Sequence, residues 1–119
     1  MDNFKIIYRI LKYLEEHLGE ENINLDKISH DRLGISFLRW EALLRMMQEE
    51  GYIKGLVYEQ TMSDSSPHVV LPINPKITIR GLEYLEENGF MKKTMIHLLG
   101  LITAFLVLLM PTASAETNP

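Results

Sequence analysis

The sequence predicts a mainly helical α+β protein: a winged helix-turn-helix with an additional long apolar C-terminal helix. Apolar residues recur at 3.6-residue spacing over residues 3–18 and 36–50, the pattern of amphipathic helices. Residues 52–79 combine β-branched and aromatic residues with a polar loop, as a hairpin does. Residues 95–110 carry no charge. We expect three parts: a winged-helix domain (1–90, with its wing at about 52–79), an apolar helix (91–110) and a disordered tail (111–119).

The first predicted helix covers residues 3–18, "NFKIIYRILKYLEEHL". Asp2 or Asn3 can cap its start, and Gly19 can end it. The residues expected on its inner face are Ile7, Ile10, Leu11, Leu14 and Leu18.

A short connection follows the first helix. Residues 23–25, "INL", could form a short strand. Asp26 is a plausible N-cap for a short helix that runs through residues 29–33, and Gly34 is expected to end that helix.

Residues 36–50, "SFLRWEALLRMMQEE", predict a second long helix. Ser36 is a natural N-cap and Gly51 a natural residue after the C-cap. The apolar residues on one face of the helical wheel are Phe37, Trp40, Leu43, Leu44 and Met47. Trp40 could stack on a base. Its place in this stripe favours core packing instead.

Residues 52–60 predict a strand, residues 61–67 a polar loop, and residues 68–73 and 75–79 short extended pieces. A third long helix is expected from the N-cap Thr78, with Leu82 and Leu85 on its inner face, ending at Asn88 and Gly89. The order of these elements is that of a winged helix-turn-helix. In that arrangement three helices share one core and the hairpin packs on its edge.

Several stretches resemble the YjcQ-like family of small bacterial and prophage proteins over roughly residues 1–94. They are "MDNFKIIYRILKYLEE", "LDKIS", "LGIS", "RWEALL", "EEGYIKG", "ITIRGLEYLEEN" and "MKK". The resemblance implies a winged-helix fold and no particular activity. "GYIKG" followed by "ITIRGL" is also similar to the strand–wing–helix passage of many winged-helix regulators. That similarity implies that Gly51 closes the second helix and that Thr78 caps the next. The apolar residues 95–110 depart from the family pattern.

The composition of the chain excludes several classes of function. The chain contains no cysteine, which excludes disulfides, thiolate metal sites and a cysteine nucleophile and fits a reducing cytosol. The N-terminus "MDNFKIIYRI" lacks the apolar region of a signal peptide, so we expect a cytoplasmic protein. The formal net charge of −4 counts modestly against DNA binding, because neutralisation of phosphates supplies most non-specific affinity.

The sequence contains no catalytic constellation. The paired carboxylates near helix ends are expected to be solvent-exposed. Asp64 and the nearby His68 lie on a polar loop, which would not hold catalytic groups rigidly. We therefore expect no enzyme, no cofactor, no metal and no small-molecule substrate. The histidines do not have metal-ligand spacing; they are His17, His30, His68 and His97.

The main functional hypothesis is DNA binding, by analogy with helix-turn-helix proteins whose second helix faces base edges while a wing touches phosphate. The candidate residues are Ser36, Arg39 and Arg45 on the second long helix, and Lys54, Lys76 and Arg80 on the wing side, with Lys27 and Arg32 in support. Leu38, Ala42 and Met46 are apolar on the same face, and Glu41 and Glu49 would repel phosphate. The alternative is therefore a protein-interaction or dimerisation module that does not bind DNA.

Residues 95–110 leave three interpretations open. As a helix they span about 24 Å, less than the roughly 30 Å of a hydrocarbon core, although Lys92 and Lys93 could extend the reach. They could anchor a cytosolic domain to the inner face of the cell membrane, with the C-terminus outside. They could instead pack in a homodimer or against the domain. Finally, "MKKTMIHLL…PTASA" has the pattern of a signal peptide and could come from a fused reading frame.

Overall fold

The computed structural model describes residues 2–89, which form an α+β arrangement of helices and short antiparallel strands. Predictions for Lys92, Lys93 and residues 95–110 lie outside these residues. Between residues 2 and 89, no helix is both long and apolar enough to cross a membrane. The elements are α1 (Asn3–Glu16), a 3₁₀ turn (Asp26–Ile28), α2 (His30–Leu33), α3 (Phe37–Glu49), β1 (Ile53–Lys54), β2 (Tyr58–Glu59), β3 (His68–Val69), β4 (Lys76–Ile77) and α4 (residues 79–89).

Helix α1 begins where predicted and ends earlier. The side chain of Asp2 accepts a hydrogen bond from the Lys5 amide at 2.9 Å and caps the helix. The buried residues of α1 are Ile6, Ile7, Ile10, Leu11 and Leu14. The prediction that Leu18 belongs to this stripe is wrong, because its side chain is 64% exposed. The Leu18 amide bonds to Glu15 O in a tighter turn, which takes Leu18 off the helical stripe.

The predicted strand at residues 23–25 does not form. The Tyr13 hydroxyl donates to the Asn24 carbonyl, and the Asn24 side chain accepts from the Asp26 amide. These contacts replace strand pairing and lead into the 3₁₀ turn. Ser29, not Asp26, caps the short helix α2, and Gly34 ends it in the left-handed region as predicted.

Helix α3 agrees closely with its prediction. The Ser36 hydroxyl caps it by accepting from the Arg39 amide at 3.2 Å, and Gly51 follows with φ +82°. Core packing of Trp40 is confirmed: it is buried and its indole Nε1 donates to the Ile28 carbonyl at 2.8 Å. Leu43, Leu44 and Met47 are buried beside it, with Phe37 partly buried against them.

The four strands of the described residues form one nested antiparallel hairpin, with β1 paired to β4 and β2 paired to β3. Ile53 lies opposite Ile77, and Tyr58 lies opposite Val69. Five steps separate Ile53 from Tyr58, whereas eight separate Val69 from Ile77, so the returning arm carries three extra residues. The single strand predicted at residues 52–60 is therefore divided into β1 and β2.

Helix α4 begins with the predicted cap. The Thr78 hydroxyl accepts from the Gly81 amide at 3.0 Å and donates to the Gly51 carbonyl, so it joins the end of α3 to the start of α4. Leu85 is buried and Leu82 partly buried on the inner face. Residue 89 is still helical and is the last described residue.

Candidate functional site: helix α3 and the hairpin

Two polar side chains of α3 hold the hairpin backbone, and we call this pair the clasp. The Gln48 amide donates to the Leu56 carbonyl at 3.0 Å and accepts from the Leu56 amide at 2.8 Å. The Glu41 carboxylate accepts from the Val69 amide at 2.8 Å. The clasp thus contacts both arms of the hairpin and fixes their position against α3.

Glu41 is buried, with 3% of its surface exposed. Its second oxygen lies 2.9 Å from His68 Nδ1, so the carboxylate has partners at both oxygens. The expectation that Glu41 faces outward and repels phosphate is wrong. It shares a stripe with Leu44 and Gln48 at helical spacing, and this spacing was the available signal. Its partners come from β3, which the helical pattern could not reveal.

The loop at the hairpin tip is organised around Asp64. One oxygen of Asp64 accepts from the Thr61 amide at 3.1 Å and from the Thr61 hydroxyl at 2.8 Å. The other lies 3.9 Å from His68 Nε2. Hydrogen bonds from the Thr61 amide and hydroxyl hold the pKa of Asp64 below its ordinary value, and the charge of His68 adds to this.

Replacing Thr61 by valine should raise the pKa of Asp64 only part of the way to its ordinary value of 3.8, because the Thr61 amide still donates. A depressed pKa means that Asp64 stabilises the fold above its unfolded pKa, and that this contribution is lost as the pH falls through the folded value. NMR titration of the Asp64 carboxyl carbon in both proteins measures the change. An unchanged pKa in Thr61→Val would contradict the assigned role of the hydroxyl. Ser66→Ala is the control, because Ser66 is an exposed hydroxyl of the same loop.

Ser36 and Arg39, the predicted DNA-binding residues at the start of α3, also have structural contacts. Ser36 is the N-cap. Arg39 donates from Nε (2.9 Å) and Nη2 (2.6 Å) to the Asn3 side-chain oxygen, which joins the starts of α1 and α3. Arg45 is half-buried near Tyr58. Burial raises the pKa of Tyr58 to about 12, and the charge of Arg45 opposes part of this rise.

The predicted residues on the wing side lie in two places. Lys54 and Lys76 are directly opposite each other in β1 and β4, and Lys76 Nζ lies 3.3 Å from the Glu20 carbonyl. Arg80 donates to the Glu50 carbonyl at 2.7 Å and lies 5.5 Å from the centre of the Tyr52 ring. The hairpin thus brings the two lysines together, whereas Arg39 and Arg80 contact opposite ends of α3.

The outward surface of α3 is apolar along one line. Leu38 is 65% exposed, Met46 is 54% exposed, and Ala42 lies between them, half-buried. These residues are four positions apart, so they lie on one side of the helix. We call them the α3 strip.

Residues 2–89 contain no group of three or more histidine and carboxylate side chains that could hold a metal ion. The polar network of Glu41, His68 and Asp64 connects α3 to the hairpin.

Comparison with known proteins gives two matches. The family model described as YjcQ protein matches residues 8–99. The chain is also similar to the protein named "Uncharacterized protein YjcQ" from Bacillus subtilis (strain 168), with 32% identity over 93 residues that cover 78% of this chain and 86% of that protein. No solved structure matches this chain.

Proposed function

Because this chain belongs to the YjcQ family, as its motifs predicted, we propose a function from its geometry: a non-enzymatic winged-helix module that binds duplex DNA. In this proposal α3 is the recognition helix and the hairpin from β1 to β4 is the wing. The direct succession of α3, an antiparallel hairpin and a Thr78-capped α4 supports this assignment.

The observation that carries the proposal is the burial of Glu41. Helix α3 has four charged side chains. One of them, Glu41, is not on the helix surface, because it is buried against Val69 and His68. Arg39 and Arg45 then outnumber Glu49 among the remaining charges. This removes one of the two acidic residues that would oppose a phosphate backbone.

The pairing of Lys54 with Lys76 also supports DNA binding. Like charges directly opposite each other in an antiparallel sheet are destabilising. A phosphate group bound at this pair would relieve this repulsion, and lysine and arginine supply many of the phosphate contacts in DNA complexes. We therefore assign the pair to the backbone of the duplex.

Lys54→Ala should weaken binding uniformly across DNA sequences and reduce the slope of log K against log[salt] by about 1. Lys12→Ala is the matched control, since Lys12 is an exposed lysine of α1 paired with Glu15. Fluorescence anisotropy over a salt series measures both slopes. An equal slope for Lys54→Ala and the wild type would contradict the phosphate contact. No binding to random duplex by folded protein at micromolar concentration and low salt would overturn the DNA proposal.

A second candidate function is protein interaction or homodimerisation without DNA binding. The exposure of Leu38 and Met46 favours it, as does the net charge of −4. Sedimentation of the full chain separates the two candidates. A dimer that dissociates in Leu38→Ser, together with absent DNA binding, would replace the first proposal with the second.

Membrane attachment through residues 95–110 remains a separate proposal. Its support is that residues 95–110 carry no charge and follow Lys92 and Lys93. Most of residues 95–110 lie beyond the family match, which ends at residue 99. Cell fractionation of the full chain tests it. Recovery of a monomer in the soluble fraction would overturn both the anchor and the dimer helix.

A further inference from the structure

We propose that the α3 strip reads the methyl groups of thymine in the major groove, so that the preferred target is A·T-rich duplex DNA. This inference rests on the proposed DNA-binding function. In this proposal the exposed apolar residues of α3 contribute to DNA binding.

The dimensions of the α3 strip fit a short run of base pairs. Leu38 and Met46 are eight residues apart, which is about 12 Å along a helix. Base pairs are stacked about 3.4 Å apart, so the strip covers roughly three to four of them. The N-terminal part of a recognition helix contacts base edges. Leu38 and Ala42 are therefore the closest to the bases, with Met46 towards the edge of the contact.

The chemistry of the strip matches one feature of the major groove. Of the four base pairs, only those containing thymine present a methyl group there, and apolar side chains make their specific contacts with that group. Both kinds of base pair also present hydrogen-bonding atoms there, which Leu38 and Ala42 cannot satisfy and whose burial weakens binding. An A·T pair offsets part of this cost through its methyl group, and a G·C pair does not.

Three polar side chains of α3 that could read bases through hydrogen bonds are bound within the protein. Gln48 is bound to both backbone groups of Leu56, and Glu41 is bound to Val69 and His68. Arg39 directs its Nε and Nη2 edge to Asn3. The outward surface of α3 thus offers an apolar contact through the α3 strip, and Arg39 and Arg45 supply positive charge on the helix.

The test compares two duplexes with the same A·T-rich sequence, one of which contains uracil in place of thymine. Uracil keeps the base-pairing hydrogen bonds and lacks only the C5 methyl group, so the comparison isolates the proposed contact. One buried methyl group is worth about fourfold in affinity. With two methyl groups contacted, we expect the uracil duplex to bind roughly fifteenfold more weakly, measured by fluorescence anisotropy at low salt.

Two variants assign the effect to the strip. Leu38→Ala should retain DNA binding and lose most of the difference between the two duplexes. Leu18→Ala should keep the difference, because Leu18 is similarly exposed, at 64%, and lies outside α3. Equal affinity of the wild type for both duplexes would overturn methyl recognition and leave the DNA-binding proposal standing. Binding to neither duplex would overturn both proposals.

Discussion

Replacing Glu41 by alanine should lower the free energy of unfolding by about 3 kcal/mol. The substitution removes the acceptor for the Val69 amide, which is a buried donor in β3. It also removes the partner of His68 Nδ1 and leaves space beneath the hairpin. A buried donor without an acceptor costs about 1–3 kcal/mol, and the lost packing adds to this. Urea denaturation followed by circular dichroism measures the change.

Two further variants are controls for the loss of stability in Glu41→Ala. Glu49→Ala removes an exposed carboxylate from the same helix and should change the stability by less than about 0.5 kcal/mol. Glu41→Gln retains an oxygen for the Val69 amide and should fall between Glu41→Ala and the wild type. If Glu41→Ala were as stable as Glu49→Ala, the clasp would not hold the hairpin.

Replacing Gly81 by alanine should destabilise the fold by about 4 kcal/mol. A Cβ atom at this position would lie 2.3 Å from the Tyr52 carbonyl oxygen and 2.7 Å from Cγ1 of Ile77. Neither neighbour can easily move. The Tyr52 carbonyl accepts from the Thr78 amide at 3.1 Å, and Ile77 is paired with Ile53 in the hairpin. The methyl group therefore has to separate α4 from the hairpin or distort the Thr78 cap.

Gly19→Ala is the control for Gly81→Ala. Gly19 has φ +89°, and within the described part of the chain no atom lies within 4 Å of the place that a Cβ would take. Alanine there meets only backbone strain, about 1–2 kcal/mol. Thermal unfolding of both variants separates steric contact from strain. Equal losses in the two proteins would contradict the close approach of α4 to Tyr52.

Local signals predicted the long helices and the residues at which they begin. Contacts between residues that are distant in the chain determined the features that those signals did not predict. Ser36, Gly51 and Thr78 act through groups next to them in the chain or at an adjoining helix end, so their caps could be predicted. Leu18 follows the helical spacing but lies beyond the last turn of α1. Glu41 looks like a surface acid until β3, more than 25 residues later, supplies its partners. The strand predicted at residues 23–25 failed because Tyr13 contacts the Asn24 carbonyl.

For the candidate DNA-binding residues, too, the residue types could be predicted from the sequence and the contacts could not. Arginine and lysine at the expected positions could be identified from the sequence. Their contacts could not, because Asn3 meets Arg39 across two helices and Glu50 meets Arg80 across the hairpin. The opposition of Lys54 and Lys76 follows from the strand register. That register depends on the three extra residues of the returning arm, which the sequence pattern did not indicate.

The clasp also defines where the chain can be lengthened. Its contacts lie at Leu56 and Val69, so the hairpin tip extends beyond both of them. Ser65 and Ser66 are exposed there and follow the Asp64 turn. Extra residues between these two serines add mainly a loop-closure entropy, which grows by only about 0.6 kcal/mol for each doubling of loop length. The tip is thus a suitable place for an epitope tag or a fluorescent probe that leaves the contact between α3 and the hairpin intact.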